Sequence, residues 1–238
     1  MSEAALRGRT WDAEVLTVLQ YSPSLIRVEL GGAGLDGFVS LGEPDEACVF
    51  EFPTPEAARG LVSRPGRWYS LHEIKPNWIA IGIVVHPGGL ASDWAGQAKV
   101  GDTLRITRHK TWFRRPDEAA WQILLGDITA LPAIARIVTE SAQLVPTRAV
   151  IEIPDAGDQQ NWPAAAEADI EWVHNPELGS KRSRLSELVS KLELPPGEGY
   201  IYVAGEVAET RAARKFLSRD LKLGNDSFGA VGYWRRGT

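Results

Sequence analysis

One cysteine, Cys48, is the whole thiol inventory of this chain. A disulfide framework and a cysteine-based metal or iron–sulfur centre are therefore excluded within one chain. A basic surplus is also lacking: Lys and Arg number 26 against 31 Asp and Glu, for a formal net charge of −5. That excludes a general nucleic-acid binder, while leaving room for a local basic pocket facing an acidic ligand. No long hydrophobic run exists. The longest, residues 79–85, is far too short to cross a bilayer, so no membrane insertion is expected. The first residues combine no basic head with an apolar stretch, so no secretory signal is expected and a reduced, cytoplasmic setting follows. A Walker lysine, a Gly-x-Gly-x-x-Gly fingerprint and a Gly-x-Ser-x-Gly elbow are absent too. His72, His86, His109 and His174 are scattered without metal-ligand spacing, so no protein metal site is expected.

What is present is ordinary globular composition, 44% hydrophobic and 24% charged, long enough for one large or two modest domains. Up to about residue 110 the chain reads as β. Short runs rich in β-branched and aromatic residues fall at 9–19, 25–30, 47–52, 68–72, 78–85 and 103–107, with Gly, Pro and Asn between them. Six such strands predict a small antiparallel barrel, interrupted by one helical stretch at 91–98. After Trp121 the rhythm becomes strand and helix in alternation. Strands are expected at 122–125, 149–153, 170–173, 200–204 and 230–234, and helices at 131–144, 184–192 and 207–218. That pattern predicts a parallel sheet with helices on its faces. The boundary falls in the polar stretch 114–119, which divides the chain into residues 1–115 and 116–238. Barrel first and α/β sheet second suits two planar cofactors meeting at a cleft between domains.

Four runs carry chemistry. In Arg67-Trp68-Tyr69-Ser70, an arginine can fork onto a pyrophosphate, a tyrosine offers a face for ring stacking, and a hydroxyl can reach a ring nitrogen, which suits a flavin. Between His86 and Ala95 a strand gives way through Gly88-Gly89 to a helix start at Ala91 and Ser92. Backbone N–H groups there suit a phosphate, or Ser92 simply caps a turn. Around Gly126-Asp127-Ile128-Thr129-Ala130, another strand passes into a helix carrying Pro132 in its first turn, at a strand's C-terminal end where open sheets bind ligands. The fourth run, Tyr202 to Glu206, ends a strand in the same way. Arg211 and Arg214 follow it on one helical face, as phosphate grips or solvated charges. Ser183 and Ser186 read as helix caps rather than nucleophiles.

In order along nearly the whole chain, these runs resemble the siderophore-interacting proteins, a branch of the ferredoxin-reductase-like flavoproteins. Ile151 to Ala156 and the closing Gly232 to Gly237 complete the match. The resemblance implies an N-terminal six-stranded antiparallel FAD-binding barrel, followed by a C-terminal parallel-sheet NAD(P)-binding domain. It implies an enzyme that passes electrons from NAD(P)H through FAD to a ferric siderophore and releases Fe(II). Ser70 and Tyr69 would be catalytic. Cofactor contacts would come from Arg67, Tyr69, Ser70, His72, His86, Ala91, Ser92 and Trp94 on the FAD side. On the nicotinamide side they would come from Asp127, Thr129, Ala130 and Glu206, with Trp234 approaching the flavin. A monomer is expected.

The sequence departs from the family pattern at named places. His72 stands where a second arginine is usual. A neutral imidazole is a poorer phosphate partner than a fixed cation, so weaker FAD binding is expected above the ordinary histidine pKa of about 6.5. Leu90 replaces a proline and Ile128 an acidic residue. Residues 108–115 replace a Gly-Pro-x-Gly stretch with Arg108, His109, Lys110, Arg114 and Arg115 beside Trp112 and Phe113. Lys110, Arg114 and Arg115, with Arg235, could dock an anionic siderophore. Equally, the run could be an exposed hinge with Trp112 and Phe113 tucked against the barrel. Two alternatives follow from these departures: a related flavoenzyme with an organic substrate, or a non-catalytic siderophore binder that has lost its cofactor.

Overall fold

The computed structural model describes residues 2–163, 166–178 and 182–237, and the chain divides into two units, Met1–Thr111 and Trp112–Thr238. In the first unit, strand-period alternation builds the core. Along β1 (Trp11–Ser22), Trp11, Ala13 and Val15 are buried while Asp12, Glu14 and Leu16 face outward. The other strands are β2 (Leu25–Gly31), β3 (Ala47–Glu51), β4 (Gly66–Lys75), β5 (Trp78–Val84) and β6 (Thr103–Lys110). They close into an antiparallel barrel in the order β1-β2-β5-β4-β3-β6. Closure removes the exposed edges that an open sheet would leave. Phe50, Phe52, Leu71, Ile79, Ile81 and Ile83 fill the interior. Two short helices sit on connections, α1 (Pro55–Ala58) and α2 (Leu90–Ala95).

Two bulges decide which side chains face where. On β6, Cys48 pairs with His109 and Val49 with Thr107, so Arg108 is an extra residue at φ +42°. Such an insertion shifts the in–out alternation by one. His109 therefore turns inward, although the sequence grouped it with an exposed basic run. Its Nδ1 lies 2.7 Å from Glu46 Oε1, and neither side chain has any exposure. Glu46 also accepts from the Leu41 N–H at 3.0 Å and from the Ser40 hydroxyl. The second bulge makes His72 the extra residue between Leu71 and Glu73 in the β4–β5 ladder.

The second unit is the expected parallel sheet. Its strands are β7 (Gln122–Asp127), β8 (Thr147–Ile153), β9 (Asp169–His174), β10 (Tyr200–Glu206) and β11 (Phe228–Trp234). They lie in the order β11-β10-β7-β8-β9. β7 and β10 are buried along their whole length, as central strands covered on both faces must be. Helices α3 (Leu131–Ser141), α4 (Leu185–Ser190) and α5 (Val207–Lys215) follow β7, β9 and β10. α5 ends sooner than the sequence pattern suggests, because a wider π turn over Phe216–Asp220 takes over. Likewise the helix expected at 91–98 stops at Ala95, before Gly96. Phe113 packs edge-on to Tyr200 and Tyr202 at 5.3 and 5.6 Å, and Trp112 lies 6.4 Å from Tyr233. Both rings therefore find partners within the second unit. Among the described residues no helix is long and apolar enough to cross a membrane.

Removing one member of a buried, hydrogen-bonded ion-pair geometry costs more than removing an exposed one. Glu46→Ala is expected to lower stability by roughly 3–5 kcal/mol. Arg105→Ala, which breaks the half-exposed bridge to Asp12, should cost under about 1 kcal/mol. Urea unfolding of both variants measures the difference, and equal costs would contradict this account of the barrel.

Candidate functional site

In the barrel, β4 and the start of α2 carry the expected flavin residues. Arg67 is exposed, and among the described residues its side chain donates to the carbonyl of its neighbour Gly66, from Nη1 at 3.0 Å. Its charge is thus left for another anion. Tyr69 is half-buried, with its ring edge-on to Phe50 and Phe52 at 6.2 and 6.1 Å. Burial, against a smaller opposing pull from Arg67, pushes its phenol above the ordinary tyrosine value, so it stays protonated. Ser70 is buried. Phe52 also meets Trp94 of α2 at 5.3 Å, so one aromatic cluster joins Tyr69 to the helix. Ser92 Oγ accepts from the His86 N–H at 3.0 Å, which ties the strand end to the helix and holds the glycine turn between them. A Cβ on Gly89 would meet the His86 ring at 2.3 Å. Beside α2 lies a groove of about 660 Å³ whose walls include Pro53, Pro55, Leu90 and Trp94. Ala91, in the first turn of α2, is buried.

His72 lies 3.3 Å, Nδ1 to Nη1, from Arg27 of β2. A cation is therefore present near the position where arginine was missed. Glu29 at 3.1 Å and Glu73 at 2.7 Å already share its charge.

Pairing across β3 and β6 also brings together Glu46, Cys48 and His109, three potential ligands within 4.8 Å of one another and all buried. Spacing along the chain could not reveal this, because Glu46 and Cys48 lie more than sixty residues from His109. Cys48 Sγ sits 3.4 Å from the same Nδ1 that faces Glu46. Burial first, and the Glu46 charge second, raise its thiol well above the ordinary value, so it is not a nucleophile.

In the second unit, chain order reverses beside β7: β8 and β9 lie on one side, β10 and β11 on the other. The crevice between the ends of β7 and β10 is the topological switch point, where open α/β sheets bind ligands. Asp127 and Glu206 end those two strands. Asp127 is fully buried and accepts four hydrogen bonds. Thr129 gives two, from N–H at 2.9 Å and hydroxyl at 2.5 Å; the Glu206 N–H and the Trp234 indole give the others, at 3.0 and 2.7 Å. A Cβ on Gly205 would strike Asp127 Oδ2 at 2.4 Å, so only glycine permits this approach. The Glu206 carboxylate caps α5, accepting from the N–H groups of Ala208 and Glu209 at 2.5 and 3.0 Å. α3, by contrast, begins at Ala130 with no side-chain cap.

The expected docking cations fall in both units. Lys110 is half-buried at the end of β6, Arg114 is exposed and donates to the Phe113 carbonyl at 2.7 Å, Arg115 is half-buried, and Arg235 is exposed beyond β11. Ser183 and Ser186 bond buried carboxylates, Glu152 and Glu209, both at 2.5 Å. That carboxylate framework, with Asn175 on Glu152 at 2.6 Å, carried no local signal in the sequence.

Burial raises the Asp127 carboxyl from 3.8 to about 6, against the pull of its Thr129 and Trp234 hydrogen bonds. The folded state then holds this proton more tightly than the unfolded chain. This contribution to stability is full below the unfolded value and is lost as pH rises through about 6. The Trp234 indole N–H resonance should therefore titrate with a midpoint near 6 and cease to do so in Asp127→Asn; a flat wild-type profile from pH 4.5 to 7.5 would contradict the assignment.

Comparison with known proteins agrees with the two-unit architecture. A family model described as siderophore-interacting protein matches residues 119–237, and one described as siderophore-interacting FAD-binding domain matches residues 56–110. The NADPH-dependent ferric-chelate reductase of Escherichia coli is 28% identical over 209 residues, covering 81% of this chain and 80% of its own. The ferric vibriobactin reductase ViuB of Vibrio cholerae is 28% identical over 240 residues, covering 91% and 86%. A siderophore utilization protein from T. fusca superposes with a TM-score of 0.85 at 28% identity, over 97% of this chain and 94% of that one. With a barrel strand carrying Arg67, Tyr69 and Ser70, and a parallel sheet whose switch point gathers around Asp127, this chain belongs to the siderophore-interacting protein family.

Proposed function

We propose that the protein is an FAD-dependent reductase that passes electrons from NAD(P)H to a ferric siderophore and releases Fe(II). The observation that carries this reading is the uncommitted guanidinium of Arg67, two residues from the half-buried ring of Tyr69. A fixed cation with free forked donors suits a pyrophosphate, and a ring held by Phe50 and Phe52 is a rigid face for a flat cofactor. Arg67, Tyr69 and Ser70 offer on one strand the cation, ring and hydroxyl that a flavin dinucleotide takes, so the residues fit the group. FAD supplies two-electron uptake from a nicotinamide and one-electron delivery to iron, which no side chain here can do.

Arg67 and the backbone around Ala91 and Ser92 would hold the phosphates, and Ser70 would stand by the reacting ring. His86 is held in place by the Ser92 hydroxyl. In the second unit α3 is the better seat for an anionic nucleotide, because the Glu206 carboxylate already occupies the start of α5. Asp127 acts here by positioning: it holds Thr129, Glu206 and the Trp234 indole around the crevice and spends all its acceptors doing so. Lys110, Arg114, Arg115 and Arg235 would attract an anionic chelate. Release follows from iron chemistry, since Fe(II) is held far less tightly than Fe(III) by hard oxygen donors. The buried Glu46–His109–Cys48 cluster has no part in this route.

Adding FAD to purified protein should give a bound-flavin absorbance band, and Arg67→Ala should weaken FAD by at least about tenfold, the low end for a charge-assisted bond. No bound flavin in the wild type would overturn the reading. Turnover with an organic acceptor but with no ferric chelate would favour the alternative flavoenzyme.

A further inference from the structure

The bulge that turns His109 inward also completes a set of three metal donors. Glu46 and Cys48 stand two residues apart, so the strand period puts both side chains on one face. The Glu46 carbonyl accepts the Leu71 N–H at 2.8 Å, which carries the β3–β4 ladder on to this residue. Pairing then sets His109 directly across from Cys48. The three donor atoms lie within 4.8 Å of one another, and all three residues are buried. Each is aimed by its surroundings. The Ser40 hydroxyl and the Leu41 N–H hold Oε2 of Glu46, which leaves Oε1 facing the imidazole. The imidazole packs beside Trp11 and Phe38, with ring centroids 5.2 and 5.3 Å away. Outer partners of this kind orient metal ligands.

Protons alone leave the cluster short. Nδ1 of His109 faces Glu46 Oε1 at 2.7 Å and Cys48 Sγ at 3.4 Å, and the single proton or lone pair on that nitrogen serves only one of them well. The other ring nitrogen, Nε2, is buried with no hydrogen-bond partner among the described residues, a costly state for a polar atom. A divalent cation takes all three donors at once. Bound at Nδ1, it also fixes the ring proton on Nε2, where the aromatic rings of Trp11 and Phe38 can receive a weak N–H contact and a bare lone pair finds nothing.

We propose that Glu46 Oε1, Cys48 Sγ and His109 Nδ1 form a zinc(II) site that pins β3 to β6 inside the barrel. Carboxylate, thiolate and imidazole are the donor types that zinc accepts, and three of them leave the fourth tetrahedral position to a water. The thiolate disfavours calcium and magnesium, and Zn(II) outranks Fe(II) at such donor sets. Binding releases the Cys48 thiol proton to solvent and changes no oxidation state. One cysteine cannot build a thiolate cage, but a mixed site needs only one. Its donors converge through strand pairing rather than spacing along the chain, so the sequence alone pointed away from a metal centre. The site lies beside the flavin strand, since Cys48 pairs with Tyr69, yet it does not depend on the reductase reading.

The test strips the full chain of metal with a chelator and titrates it with Co(II), a spectroscopic stand-in for Zn(II). No NAD(P)H is present, and spectra are taken against the metal-free protein so that any flavin absorbance cancels. The wild type is expected to take up a single equivalent of Co(II) and to show a sulfur-to-cobalt charge-transfer band in the near ultraviolet. Added Zn(II) should bleach that band, whereas Fe(II) at the same concentration should not. X-ray absorption of the Zn(II)-loaded protein should show one sulfur at about 2.3 Å, with nitrogen and oxygen at about 2.0–2.2 Å. Zn(II) should also raise the thermal midpoint. Cys48→Ala leaves the Glu46–His109 bond in place, so without metal it should melt near the wild type. It should lose the charge-transfer band and bind Zn(II) at least about tenfold more weakly. If Cys48→Ala does not fold, Cys48→Ser, which keeps the size and polarity of the side chain, is judged by the same two losses. No charge-transfer band in the wild type, equal Zn(II) affinity in wild type and variant, or bleaching by Fe(II) as readily as by Zn(II) would overturn the proposal.

Discussion

One buried carboxylate organises the ends of three parallel strands. Asp127, at the close of β7, accepts the backbone N–H of Glu206 from β10 and the indole N–H of Trp234 from β11, while Thr129 closes over it from the following loop. All its partners are donors, so the charged form satisfies them and the protonated form cannot satisfy all. Burial opposes that charge and raises the pKa to about 6. The site is held in a balance between desolvation and hydrogen bonding, with Gly205 required for the close approach. The shape of the crevice at the switch point follows from this one group.

A comparable constraint governs the barrel. One extra residue in β6 sends His109 inward to Glu46 and Arg108 outward to Trp68. The inward half removes an imidazole from the surface and spends it on barrel closure. The outward half leaves a cation over an exposed ring. Both come from a single insertion in β6.

Much of this was legible along the chain, for reasons that particular residues show. Alternation in β1, the apolar runs of β7 and β10, and the Gly88-Gly89 and Pro76-Asn77 turns are local signals, and the barrel and parallel sheet follow from them. The strand Arg67 to Ser70 carried the proposed ligand chemistry in four consecutive residues. Asp127 and Glu206 could be placed at strand ends but not given their partners, because Trp234 is 107 residues from Asp127. His109 was misplaced because an alternation pattern gives no warning of a bulge until the partner strand is known. Glu46 carried no signal, and Glu152 lay in a resembling run without a role of its own, since a buried carboxylate looks like any surface one in sequence.

The central claim is that this chain couples a nicotinamide to ferric iron through a flavin held by the barrel. The direct measurement is stoichiometric, made without oxygen, with Fe(II) trapped by a coloured chelator as NAD(P)H is consumed. Two electrons leave each nicotinamide and each iron takes one, so two Fe(II) are expected per NAD(P)H oxidised, and none when FAD is withheld. NAD(P)H oxidation that yields no Fe(II), or Fe(II) formed equally well without FAD, would contradict it.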